Sequence, residues 1–376
     1  MKRAASYLLA GLLAVGFASM GQEGPNREVR DTARPRAKTG SAPEAELPKI
    51  PSKKGKRAAD EGELDAGLAS FRTDAQLVNV DVAVLDNKGR FIPNIPQGNF
   101  RILEDDVPQQ ISSFNMGEAP MTVAMVIEFS NLYQQYWSEG WYQTLMAAYG
   151  FVETLKPEDY VAVVAYDLRP EILSDFSTDR RQAYEAMQRL RIAAFSESNL
   201  YDALVDTATR MEEIEGRKAI VLISSGIDTF SKLTFDQTRK SLQGAGVPIY
   251  AIGTLQALRE WMDARGWMGS IQRMDFLQAD NQLRTFAKET GGQSFFPRFY
   301  GEFGNIFGAI HHALRNQYSI GYSPSNTARD GSFRKIKVQL VDPKTNKPLR
   351  IVDEKGKPVK YQIVAKQGYN APREVE

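Results

Sequence analysis

Glu128-Phe129-Ser130 sets a carboxylate and a hydroxyl two residues apart, directly after an apolar run. Six of the seven residues in Met121–Ile127 are apolar. Such a run, stopped by polar residues, reads as a strand buried on both faces of a parallel sheet. The carboxyl ends of these strands are where open α/β sheets hold ligands. The plainer alternative is that Glu128 and Ser130 only cap the strand and start the next helix. A later apolar run, Lys218–Ile223, ends the same way, in Ser224-Ser225-Gly226.

Other chemistries find less support. Cysteine is absent, which excludes disulfides, thiolate metal sites and cysteine nucleophiles. The two histidines are the adjacent pair His311-His312. Neighbouring helical residues point in different directions, and no activated-serine motif accompanies them, so one packed and one partly exposed imidazole is the expectation. Glu212-Glu213 and Asp105-Asp106 read as solvated charge on a helix face and in a turn. No G-x-G-x-x-G follows the first apolar strand, and no phosphate loop is present. An enzyme is not expected, and neither catalytic nor cofactor-binding residues are assigned. A formal net charge of +1 over 376 residues argues against nucleic acid as a partner.

The elements that must position Glu128 follow in order. Lys2 and Arg3 precede an apolar stretch, Ala4–Phe17, with small residues at Gly16, Ala18 and Ser19; residues 1–20 are expected to form a secretory signal peptide. That stretch is shorter than a spanning helix needs, so a membrane enters only if the segment is retained as an anchor. Residues 21–70, rich in Pro, Lys, Arg, Glu, Gly and Ala, read as a disordered linker. From Phe71 the pattern has period two. Val78, Val80, Val82 and Val84 alternate along a strand with one buried face, Phe91-Ile92-Pro93 resumes it, and Asn99–Glu104 and Gln110–Phe114 follow.

Residues 119–316 alternate strands and helices, predicting a doubly wound, mostly parallel α/β sheet. The strands are Met121–Glu128, Tyr160–Tyr166, Lys218–Ile223 and Val247–Ile252, with edge elements near Ile172-Leu173 and Gln293–Phe296. The helices are Gln135–Leu155, Thr178–Leu190, Leu200–Ile214, Phe235–Leu242, Leu283–Glu289 and Ile306–Leu314. Leu255–Asp280 carries Trp261, Met262, Trp267, Met268, Met274 and Phe276. It is either an amphipathic helix packed on the sheet or an exposed recognition surface. Period two returns at Tyr318–Tyr322, Ile336–Leu340 and Tyr361–Ala365. The flanks 71–118 and 317–372 are each short of strands, so together they are expected to build one small β-sandwich-like module.

The order of these motifs resembles von Willebrand factor type A domains. It runs from the apolar strand and acid-x-Ser, through Ser198-Asn199-Leu200-Tyr201-Asp202-Ala203-Leu204, to Val221–Thr229. The flanking stretches Gly89-Arg90, Asn99–Asp105, Thr290-Gly291-Gly292, Gln317–Tyr322 and Gly368–Pro372 are similar to the exported members typical of acidobacteria. The family holds a divalent cation through D-x-S-x-S, a threonine and an aspartate. Carried over, Glu128 replaces the first aspartate, Ser130 keeps the first serine and Leu132 replaces the second. Ser198 stands for the threonine, and Ser225 replaces the late aspartate. The resemblance then implies a decayed site at which no metal is expected, Glu128, Ser130, Ser198 and Asp228 being its vestige, with Asp228 as a substitute ligand only under the alternative that Mg²⁺ binds weakly. The implied partner-binding face is Glu128, Ser130, Asn131, Ser198, Ser225 and Asp228. The function expected is a secreted or periplasmic, non-enzymatic protein-interaction module, with a Mg²⁺-dependent adhesin as the alternative reading.

Overall fold

The structure, a computed structural model, describes residues 77–373 except 88, 117–119, 131–137, 191–194, 213, 215 and 353–355. The expected leader and linker, together with Asn131 and Leu132, lie outside the described residues.

The chain opens with β1 (Val78–Asp86), β2 (Phe100–Glu104), β3 (Val107–Gln109) and β4 (Ile111–Met116). Asp105 (φ 47°) and Asp106 (φ 65°) take left-handed backbone in the two-residue turn between β2 and β3, the geometry that tight hairpins demand. Phe91-Ile92-Pro93 does not resume a strand: it makes one bridge, Leu85 to Phe91. Pro93 and Pro96 lack the N–H a ladder needs. β1 also differs from its expected one-sided burial, because Ala83 and Leu85 are buried along with the valines.

The α/β unit follows. β5 (Met121–Glu128) leads through α1 (Ser138–Thr154) to β6 (Tyr160–Tyr166) and β7 (Pro170–Ser177). Next come α2 (Arg180–Gln188), α3 (Leu200–Glu212), β8 (Arg217–Ser224), α4 (Phe235–Ala245) and β9 (Ile249–Gly253). Then α5 (Gln256–Ala264), α6 (Ser270–Thr290), β10 (Ser294–Phe295) and α7 (Phe303–Arg315) complete it. Local signals set several ends. Asp179 caps α2, Thr234 and Gln237 form a capping box on α4, and Gly246 closes α4 in left-handed backbone at φ 62°.

The sheet order is β10-β9-β8-β5-β6-β7, parallel except for the antiparallel edge strand β7. Every residue of β5 is buried. Met121, Val123, Met125 and Ile127 pack toward α1, α2 and α7, while Ala124 and Val126 pack toward α3, α4 and α6. Alternate side chains thus serve two helical layers, the arrangement expected of a doubly wound sheet.

The last strands return to the first module: β11 (Tyr318–Tyr322), β12 (Phe333–Leu340), β13 (Ile351–Val352), β14 (Pro358–Val359), β15 (Tyr361–Ala365) and β16 (Gly368–Asn370). Its two main sheets run β15-β1-β11-β4 and β16-β12-β2-β3. β1 lies between β11 and β15, and β12 lies beside β2. Each sheet therefore needs strands from both flanks. Their inner faces share a core of Val80, Val82, Phe100, Ile102, Tyr318, Ile320 and Ile336. The Arg334–Glu104 ion pair is buried there, and the Tyr322 and Tyr369 hydroxyls donate to Glu104 at 2.6 and 3.0 Å.

Candidate functional site

β5 sits mid-sheet with β6 on one side and β8 on the other. The chain runs from β5 to β6, then crosses back to β8, so the carboxyl ends of β5 and β8 form the switch point where such folds bind ligands. Glu128, Ser224 and Ser225 meet at this point.

The Glu128 carboxylate is buried and fully occupied. Oε1 accepts from the hydroxyls of Ser130 at 2.9 Å and Ser225 at 3.0 Å. Oε2 accepts from the Ser225 amide at 2.6 Å and the Ser224 hydroxyl at 3.1 Å. A carboxylate offers about four lone-pair sites, and four donors take them. The hydroxyls are themselves held: Ser224 Oγ accepts from Tyr166 OH at 2.7 Å and from the Gly226 amide at 2.8 Å. Ser225 Oγ accepts from the Ile227 amide at 3.1 Å. Burial pushes the Glu128 carboxyl above its ordinary range, and the serine donors only partly offset it. Burial and the nearby Glu128 charge drive the Tyr166 phenol well above its usual value.

Ser198 and Asp228 stand apart from this cage. Ser198 Oγ is buried with no hydrogen-bond partner among the described residues. Its backbone pins two loops together, the carbonyl accepting from the Thr229 amide at 2.8 Å and the amide donating to Thr229 Oγ1 at 2.9 Å. Asp228 Oδ1 accepts from the Tyr201 amide at 3.2 Å, in the first turn of α3, and from the Ser231 hydroxyl. A carboxylate is favoured there by the helix dipole and the free amides. Asp228 therefore has a structural occupation at the start of α3. Tyr166 and Ser224 belong to the cage and were absent from the expected residues.

Three of the groups that the resemblance assigns to a cation, Glu128, Ser130 and Asp228, are engaged in hydrogen bonds within the protein. Both Glu128 oxygens face protons, Ser130 and Ser225 spend theirs on Glu128, and Asp228 caps a helix. Among the described residues no group of three or more Asp, Glu, His or Cys side chains is placed to hold a metal.

Exposed aromatic residues surround the same end of the sheet. Phe230 donates its amide to the Ser198 carbonyl while its ring is exposed. Leu255–Asp280 is not one helix but α5 and α6, and it does two jobs. Leu258 and Met268 are buried, whereas Trp261 and Trp267 are 39% and 62% exposed. The two indoles meet edge to face at 5.2 Å, and the Arg265 guanidinium lies 4.1 Å over the Trp261 ring. Met274 and Leu277 extend the apolar surface along α6, and Phe299 is exposed beside the Arg298–Glu260 ion pair. His311 is half-buried with a lowered pKa, chiefly from burial, and His312 is exposed.

Residues 137–227 match the family model of the von Willebrand factor type A domain. Solved structures similar to this chain include proximal thread matrix protein 1 from the mussel byssus, at 13% identity and a TM-score of 0.41. That likeness covers 56% of this chain and 51% of the mussel protein, so the chain spans about half of that protein's length. The vWF domain of the type V pili tip protein Mfa5 from Porphyromonas gingivalis is similar at 14% identity and a TM-score of 0.40. It aligns over 53% of this chain and 97% of that one. A von Willebrand factor type A protein from Catenulispora acidiphila covers 81% of this chain and 76% of its own, at 12% identity and a TM-score of 0.41. No curated protein matches the chain. The matched residues run from the start of α1 to just past β8, within the α/β unit.

Proposed function

We propose that the chain is a non-enzymatic protein-interaction module, exported to the periplasm or beyond, whose binding face works without a tightly held divalent cation. The observation that carries this reading is the Glu128 carboxylate, whose four acceptor positions are filled by hydroxyl and amide protons. Their dipoles partly offset the burial of that carboxylate. Exposed Phe230, Trp261, Trp267 and Phe299 add apolar contact area at the same end of the sheet. Aromatic side chains are enriched at protein interfaces. Export rests on the character of residues 1–20, and the mass of the mature protein tests it.

Photo-crosslinking tests the binding face. A crosslinking side chain is placed at Phe230, and another at Arg350 in the β module, in cells that export the full chain. A product specific to position 230, formed equally in EDTA and in Mg²⁺ and lost in Trp261→Ala/Trp267→Ala, supports the reading. A product that forms only with Mg²⁺ favours the adhesin instead.

A further inference from the structure

The amino ends of β8 and β9 border a second site, remote from the carboxyl ends where Glu128 lies. A cavity of about 620 Å³ opens there between the parallel sheet and the sandwich. Its walls include Asp81 on β1, Glu212 at the end of α3, Lys218 on β8, Gly246 before β9, and Lys366 between β15 and β16. The volume is that of a small-molecule site.

The two lysines are placed differently. Lys218 Nζ donates to the carbonyls of Met211 at 2.8 Å, Glu212 at 2.6 Å and Ile214 at 3.0 Å. An ammonium has three donors, and all three close the end of α3. Lys366 Nζ has no hydrogen-bond or ion-pair partner among the described residues. Its stem is nonetheless held. A side chain at Gly291 would overlap the Lys366 backbone, and one at Gly246 would touch Nζ at 3.6 Å. Asp81, the nearby acid, accepts from the Ser319 hydroxyl at 2.8 Å. Burial lowers the Lys366 pKa to about 8, as expected for an ammonium short of compensation.

We propose that this cavity binds a compact organic carboxylate, with the Lys366 ammonium as its counter-ion. The proposal is independent of the reading given for the Glu128 face. Asp81 and Glu212 share the walls, so a dianion or trianion meets repulsion, while the ammonium of an amino acid finds a partner. Monocarboxylates and α-amino acids are therefore favoured over phosphate and citrate. Among the described residues, Asp81, Glu212, Lys218 and Tyr369 are the charged or titratable groups that share this cavity with Lys366. A bound carboxylate keeps the Lys366 ammonium protonated. Binding then takes up protons and weakens as pH rises past 8.

Calorimetric titration of the full chain with acetate, alanine and inorganic phosphate, at pH 7 and pH 9.5, tests this. The expected result is saturable binding of acetate or alanine at pH 7, at least tenfold weaker at pH 9.5. Lys366→Met abolishes it and Lys366→Arg retains part. Lys366→Met removes a half-buried cation whose one aromatic contact among the described residues is long, 6.0 Å to the Tyr369 ring centroid, so it should melt no lower than wild type. In the wild-type protein, the bound carboxylate should also shield Lys366 from acetylation by acetic anhydride. The proposal is overturned if neither carboxylate saturates, if phosphate binds as tightly, if Lys366→Met binds equally, or if Lys366 is not shielded.

Discussion

Ser225 grips both oxygens of Glu128, its amide donating to Oε2 at 2.6 Å and its hydroxyl to Oε1 at 3.0 Å. One residue at the end of β8 thereby locks the side chain that ends β5. With Ser130 and Ser224 the grip uses every acceptor position of the carboxylate. A cation at this point would compete with these donors for the carboxylate.

Removing the acceptor strands its donors. Glu128→Ala leaves three serine hydroxyls and one amide without their partner and opens a cavity, at a cost of about 2–4 kcal/mol. Glu128→Gln keeps the shape but turns an NH2 donor against two of these donors, at a smaller cost of about 1–2 kcal/mol. Urea unfolding of both variants against wild type measures the difference.

Stability should depend on pH through the same group. The Glu128 carboxyl titrates higher in the folded protein than its ordinary value of 4.5. Folding therefore takes up a proton between the two values, and the stability this group contributes falls as pH rises through that window. Glu128→Gln lacks the term. Melting temperatures from pH 4 to pH 7 should shift in favour of the variant, relative to wild type, as pH rises.

The Ser198 hydroxyl is buried without a partner among the described residues. An unsatisfied buried polar group costs about 1–3 kcal/mol, so Ser198→Ala should be neutral or stabilising by about 1 kcal/mol. A fall in melting temperature would mean that the hydroxyl has a bonding partner.

Two glycines separate space from flexibility. A Cβ on Gly292 would overlap the Ile249 backbone, whereas one on Gly308, within α7, meets nothing. Gly292→Ala should destabilise by about 3 kcal/mol or more. Gly308→Ala should stabilise by about 0.5–1 kcal/mol, because glycine weakens a helix interior. Equilibrium unfolding of the two variants reads both signs.

Much of this architecture is legible in the sequence because burial leaves a periodic trace. The unbroken apolar run before Glu128 announces a central strand, and the valines of β1 announce a sandwich face. The cage is only half legible. Glu128 and Ser130 are adjacent in the chain, but Tyr166 reaches them through pairing that puts Glu128 opposite Tyr166. No local spacing encodes that register. Asp228 carries the right charge three residues beyond Ser225, yet the amide of Tyr201 claims it, which only the approach of α3 reveals. In Leu255–Asp280 the apolar residues are plain, but Gly266 adopts φ 68° and breaks the segment into two helices. That break leaves Trp261 and Trp267 facing outward.

The central claim is that protons occupy the place of the cation. Isothermal titration of the full chain with Mg²⁺ and Mn²⁺, beside Ser130→Ala, tests it most directly. The account predicts no saturable heat for either ion at millimolar concentration. Saturable binding that disappears in Ser130→Ala would contradict it and place a working cation site at the end of β5.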